Sequence, residues 1–182
     1  MKTTTKPFTY DDYLALPDDG KRYEIIGGEL SMTPAPSTRH QEIQTRLSAL
    51  LFIHVDKHSL GTVYSSPIDL ALSLIDVVQP DILFVAYDRS HIIAKRNVVG
   101  IPNLIVEIVS LSSSKWDREE KVNLYQHYGL LEYWIVDPES QTVEVFLYSE
   151  SRLQRAETLK IGDQLRTSQI PGLILEVAEI LR

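Results

Sequence analysis

Apolar residues recur along this chain with two different periods, and the switches between them mark out its elements. Ile43, Leu47, Leu50, Leu51 and His54 fall at helical spacing and form one stripe, with His40 a turn upstream on the same side. A long helix is predicted there, after the proline-containing break at residues 34–36. Between residues 63 and 86 the period becomes two. Ile68, Leu70, Leu72 and Leu74 alternate with Asp69, Ala71, Ser73 and Ile75, and residues 80–85, PDILFV, follow as a second strand. The short join between them predicts an antiparallel pair. Residues 104–109, LIVEIV, are apolar except at Glu107, the pattern of a central strand covered on both faces.

Turn and cap residues place the remaining elements. Thr9 with Asp12 reads as a capped short helix that stops near Pro17, and residues 22–32, RYEIIGGELSM, read as a hairpin around Gly27 and Gly28. A polar segment with His91, Lys95 and Arg96 is predicted as a surface helix or loop. Residues 111–114 can cap a helix over residues 115–128, which ends at Gly129. Strands follow at 132–136, 142–148 and 153–159, and an amphipathic helix is predicted at 173–181. The middle of the chain is thus helix, strand, strand, strand, helix, strand. That order predicts an α/β (α+β) fold, a mixed central sheet flanked by helices, with an N-terminal hairpin and C-terminal strand and helix additions.

The length of 182 residues suits one domain spanning residues 1–182. With no cysteine there is no disulfide framework, thiolate nucleophile or cysteine zinc site. The first ten residues hold no apolar run, and no stretch approaches the ~20 apolar residues of a membrane helix. A cytoplasmic protein without a membrane partner is expected. The net charge of -7 argues against tight, metal-free binding of nucleic acid. It is compatible with an enzyme whose acidic metal ligands raise the negative count until the ion arrives.

Glu107 is the most informative residue. An ionised carboxylate inside LIVEIV costs several kcal/mol, the order of a buried-ion penalty, unless a metal ion, a cationic partner or a raised pKa compensates. A salt-bridged core glutamate is the competing reading. Asp81 opens the strand before it, and two carboxylates on adjacent strands can bracket one hard divalent cation. Asp81 could equally be a turn residue beside Pro80. Lys121 lies fourteen residues after Glu107 on the following helix and shares a side with Asp117, Leu124, Tyr125 and Tyr128. It can reach over the strand end toward Glu107, or form a surface pair with Asp117 at i,i+4. His40 is a candidate to look toward the same sheet. His54, His58, His91 and His127 show no metal-ligand spacing with one another. Glu24, in the hairpin, reads most simply as solvent-facing.

Five stretches carry a resemblance to a known family. They are YEIIGGEL from Tyr23, His40 before the long helix, PDILFV from Pro80, LIVEIVSLSSSKWDREEKVNLY from Leu104, and GLLEYWIVDP from Gly129. Together they resemble the Uma-two-type restriction-endonuclease family of the PD-(D/E)XK superfamily. The resemblance implies a restriction-endonuclease-like core in which Asp81 and Glu107 are catalytic and metal-binding, holding Mg²⁺ or Mn²⁺, and a nuclease that hydrolyses phosphodiester bonds of DNA. The superfamily's usual lysine would stand at position 109, where this chain has Val109. Lys121 matches the variants in which that lysine has moved to the following helix. Glu24 and His40 also match family positions. His40 is a further catalytic candidate, and Glu24 and Asp117 are the candidates for a second layer. Ser110 is followed by Leu111 where the family commonly has proline, which loosens the turn. Two rival readings remain: an inactive binding module on a nuclease fold, and a structural homodimer that associates through a sheet edge or through exposed aromatics such as Trp116 and Trp134. A nuclease that pairs to address two strands is also expected to be a dimer.

Overall fold

The stripe of residues 43–54 is realised as α2, Thr38–His58, in a computed structural model that describes residues 6–17, 20–33, 35–110 and 114–182, with 114 and 115 described by backbone alone. Ser37 caps the helix through His40 N, and Ile43, Leu47, Leu51 and Val55 are buried. Val55 takes the inner position that the stripe assigned to His54, whose Nε2 instead donates to Pro171 O at 3.0 Å.

Before α2 stand α1, Tyr10–Leu14, and the hairpin β1, Arg22–Ile26, with β2, Glu29–Thr33. The expected capping box between Thr9 and Asp12 is present. After α2 come β3 (Gly61–Ser65), β4 (Asp69–Ala71), β5 (Val77–Val78), β6 (Ile82–Ala86), a 3₁₀ turn (Tyr87–Ile92) and β7 (Asn97–Val99). Then follow β8 (Leu104–Ile108), α3 (Ser114–His127), β9 (Glu132–Asp137), β10 (Thr142–Ser149) and β11 (Arg152–Lys160). The chain closes with β12 (Gln164–Arg166), β13 (Ile174–Glu176) and α4 (Val177–Leu181). The expected break at Pro34 and the cap at residues 111–113 lie outside the described residues.

A six-stranded mixed sheet in the order β11-β10-β9-β8-β6-β3 carries the core. β8 runs antiparallel to β6 and parallel to β9, and α3 makes the crossover between the two parallel strands. Every residue of β8 is buried, as a strand covered on both faces must be. Its two faces meet different helices. Ile82, Phe84, Leu104, Val106 and Ile108 cluster with the buried face of α2 and with α4. Leu83, Val85, Ile105 and Ile135 cluster with Leu124 and Tyr125 of α3. Among the described residues no helix is long and apolar enough to cross a membrane.

Two sequence expectations are corrected here. The alternation over residues 68–75 does not form one strand paired with residues 80–85. Only Asp69–Ala71 is extended, because Leu72 N and Ser73 N both donate to Asp76 O and close a turn at once. The short β4 pairs with β5 and β7 in a second sheet, ordered β2-β1-β5-β4-β7, while β6 pairs with β3 and β8. At the C-terminal end, residues 174–176 are a strand against β12, and the helix covers only Val177–Leu181.

Candidate active site

The register Ile82↔Val106 between β6 and β8, continued one step, sets Asp81 opposite Glu107. Opposed residues of an antiparallel pair share a face, so the topology alone brings the two carboxylates together. Both are buried, at 5% and 4% exposure, yet both line a cavity of about 480 Å³ with His40, Glu24, Asp117 and Lys121.

Each carboxylate is held by one oxygen. Asp81 Oδ2 accepts from Ile108 N at 2.8 Å and from His40 Nε2 at 2.9 Å. Glu107 Oε1 accepts from Lys121 Nζ at 2.8 Å and from the Tyr125 hydroxyl at 3.0 Å. The backbone of residue 81 is fixed as well, since Gln44 Nε2 and Ser66 N both donate to Asp81 O. His40 Nδ1 is buried and meets no partner among the described residues.

Lys121 is the hub of the cluster. Its ammonium donates to Glu24 Oε1 at 3.1 Å as well as to Glu107, and Asp117 Oδ1 stands 3.6 Å away. Burial alone would lower its pKa, but the carboxylates of Glu107, Glu24 and Asp117 outweigh burial and hold it well above the ordinary lysine range. Burial pushes the Glu107 carboxyl well up, and Asp81, Asp117 and Glu24 add to that against the opposing Lys121. Three acids therefore surround one ammonium and Asp81 stands opposite Glu107, so among the described residues of the cluster acids outnumber cations. Tyr125 is kept neutral by burial and by Glu107, so its hydroxyl stays a donor.

The structure brings together all six residues singled out from the sequence: Asp81, Glu107, Lys121, His40, Glu24 and Asp117. The reading of Lys121 and Asp117 as a surface pair is corrected, since both are buried at 4% exposure. The solvent-facing reading of Glu24 is corrected too. Folding the hairpin over the strand ends buries Glu24, which also accepts from Gln79 N at 2.9 Å. Trp134, named as an exposed aromatic, is fully buried in the sheet and donates Nε1 to Glu132. Sequence reasoning passed over Tyr125 as a polar partner, although it lies four residues after Lys121 on the same helix side. It also passed over Arg22 and Gln79, which reach the cavity only through the second sheet.

This arrangement sits in a fold seen before. A crystal structure described as "a putative nuclease belonging to DUF820" from Anabaena variabilis superposes with a TM-score of 0.79 over 96% of this chain and 98% of that one, at 20% identity. Two uncharacterised proteins of Synechocystis sp. are each 26% identical. One matches over 72% of this chain and 67% of its own length, the other over 97% and 93%. The Uma2 family, described as "Putative restriction endonuclease", matches residues 10–178, a span that contains every residue of the acidic cluster. By that match the chain belongs to the Uma2 restriction-endonuclease family, and its fold is nuclease-like.

Proposed function

We propose that this protein is a divalent-metal-dependent nuclease that hydrolyses phosphodiester bonds of DNA. One observation carries the reading: two opposed carboxylates, each holding one oxygen out of the hydrogen-bond network, lie beside a buried ammonium in a cavity. Asp81 Oδ1 and Glu107 Oε2 accept from no described residue, because every bond to these groups falls on Asp81 Oδ2 or Glu107 Oε1. Oxygen donors of this kind suit a hard cation such as Mg²⁺ or Mn²⁺, and the shortage of positive charge around them favours one. Asp81 and Glu107 are the residues that would hold it. When bound there, the ion supplies Lewis acidity and charge neutralisation at a phosphoryl oxygen.

The chain's own groups do the rest. Lys121 sets the position of Glu107 Oε1 and carries a fixed positive charge to where negative charge develops on the phosphate. Tyr125 holds the same oxygen from the other side. His40 and the Ile108 amide orient Asp81. Glu24 and Asp117 keep Lys121 protonated and in place.

The test is cleavage of supercoiled and linear DNA by the purified protein with millimolar Mg²⁺ or Mn²⁺. Cleavage is expected with metal and lost in EDTA, in Asp81→Asn and in Lys121→Met, while circular dichroism confirms that each variant is folded. No cleavage with either ion, or wild-type rates from folded Asp81→Asn, overturns the proposal.

A further inference from the structure

Lys121 comes from a helix, while Glu107, which it meets, comes from a strand. Strand β8 is paired on both sides, so the ladders fix Glu107. The backbone bonds of a helix are its own, so α3 is held on the sheet by side chains alone. Arg118, Lys121 and Tyr125 follow one another on α3 at spacings of three and four and share one side of it. Lys121 and Tyr125 reach Glu107. Arg118 reaches farther across the sheet. Its Nε and Nη2 donate to Glu144 Oε1 at 2.8 and 2.6 Å, and Nη2 donates also to Asp137 Oδ2 at 2.9 Å.

Resting on the nuclease reading, we infer that Arg118 is a positioning residue for the reaction: clasped to Asp137 and Glu144, it sets where Lys121 stands against Glu107. The register pairs Glu144 with Ile135 and Thr142 with Asp137, so both acids lie on the sheet face that α3 covers. Neither acid is loose. Glu144 Oε2 accepts from Arg155 Nη1 at 2.9 Å, and Asp137 Oδ1 accepts from the amides of Glu139 and Ser140 at 3.0 and 3.1 Å. The Tyr133 hydroxyl donates to Asp117 O at 3.2 Å and ties down the residue before Arg118. Exposed ion pairs fix little, but this one is a fork across two strands, with Arg118, Asp137 and Glu144 side chains 26%, 16% and 6% exposed. Lys121 lies less than one turn beyond it, so a slide or rotation of that turn moves the ammonium with it. To the cavity α3 gives Trp116, Asp117 and Lys121, and Arg118 is not among them. Its effect therefore falls on the rate at saturation and not on binding.

Single-turnover cleavage of DNA with protein in excess separates the two. Arg118→Gln is expected to lower the saturated rate about 10- to 100-fold, the cost of a misplaced reacting group, with the half-saturating protein concentration unchanged. Arg118→Lys keeps the charge without the fork and is expected to recover the rate to within about tenfold of wild type. Glu144→Gln is expected to slow cleavage as well. The double variant is expected to be no slower than the slower single one, because the two residues act as a unit. Hydrogen exchange gives a readout free of DNA and metal: the amides of the first turns of α3 are expected to exchange faster in Arg118→Gln, and those of β8 to stay as in wild type. Wild-type rates from folded Arg118→Gln, losses that multiply in the double variant, or unchanged exchange in α3 overturn the inference and leave the nuclease reading standing. A wild-type protein that cuts no DNA overturns both, and faster exchange in its Arg118→Gln variant then marks Arg118 as a clasp of the fold alone.

Discussion

A single cation among buried acids makes Lys121 the residue on which the site's stability turns. Lys121→Met leaves Glu107 and Glu24 buried without the cation that both bond. That is expected to cost about 3–5 kcal/mol at neutral pH, the range for an uncompensated buried charge. Urea denaturation measures it, and a loss below about 1 kcal/mol would mean that the acids relax into solvent. Another buried acid lies at the start of β9, on the sheet face opposite to Glu107. Glu132 is fully buried, accepts from Trp134 Nε1 at 2.6 Å and Thr167 Oγ1 at 2.8 Å, and its pKa is raised chiefly by burial. A carboxyl raised in the folded state contributes most stability below its unfolded pKa. That contribution is lost as pH rises through the folded value. Glu132→Gln can keep both hydrogen bonds without the charge, so its stability relative to wild type is expected to improve steadily from acidic to neutral pH. Denaturation curves at the two pH values check the sign, and a difference independent of pH contradicts it. These residues differ in how legible they were. Glu107 announced itself as the one charge in an apolar run, and Lys121 followed from helical spacing. Glu24 could not be read, because a hairpin's local alternation does not say that a second sheet will fold its polar side over the ends of β6 and β8.

At the scale of elements, the close approach of β3 to β6 holds the register of the strand that Asp81 immediately precedes. Gly61 opens β3 with φ +155°, and a Cβ there would stand 2.1 Å from Val85 O and 2.8 Å from Ala86 Cα. Backbone cannot yield as a side-chain tip can. Gly61→Ala is therefore expected to cost about 2–5 kcal/mol, overpacking and backbone strain together. Gly129 closes α3 with φ +71° and open space around its would-be Cβ. Gly129→Ala meets only left-handed strain, about 1–2 kcal/mol. Chemical denaturation of the pair separates clash from strain, and equal losses would contradict the tight β3–β6 approach. The elements that define the core, α2, β6, β8, α3, β9 and β10, were readable from period and punctuation because each buries a continuous apolar face. The second sheet, beyond its β1–β2 hairpin, was not. β4 and β5 are three and two residues long, too short to hold a period, and the turn that Asp76 closes interrupts an alternation that looks like one strand.

At the scale of the whole molecule, charge and fold are linked through the same cavity. The chain carries a net charge of -7, and Glu24, Asp81, Glu107 and Asp117 converge on one lining. Unfolding separates these acids and relieves their repulsion, so on the nuclease reading a divalent cation held by Asp81 and Glu107 would bind the folded chain far better than the unfolded one. Such a ligand at a hundred times its Kd adds about 2.7 kcal/mol of stability. For a chain of this size that corresponds to a rise in Tm of roughly 5–10 °C. Millimolar Mn²⁺ is expected to produce that rise in the wild type, while NaCl at matched ionic strength produces little, since screening acts weakly on buried charges. Asp81→Asn retains an acceptor for the Ile108 amide but loses one negative ligand, so its Tm should respond to Mn²⁺ far less. Thermal scans of the two proteins with and without Mn²⁺ decide the matter independently of any DNA. A wild-type Tm that ignores Mn²⁺, or an equal rise in Asp81→Asn, removes the ion from this site.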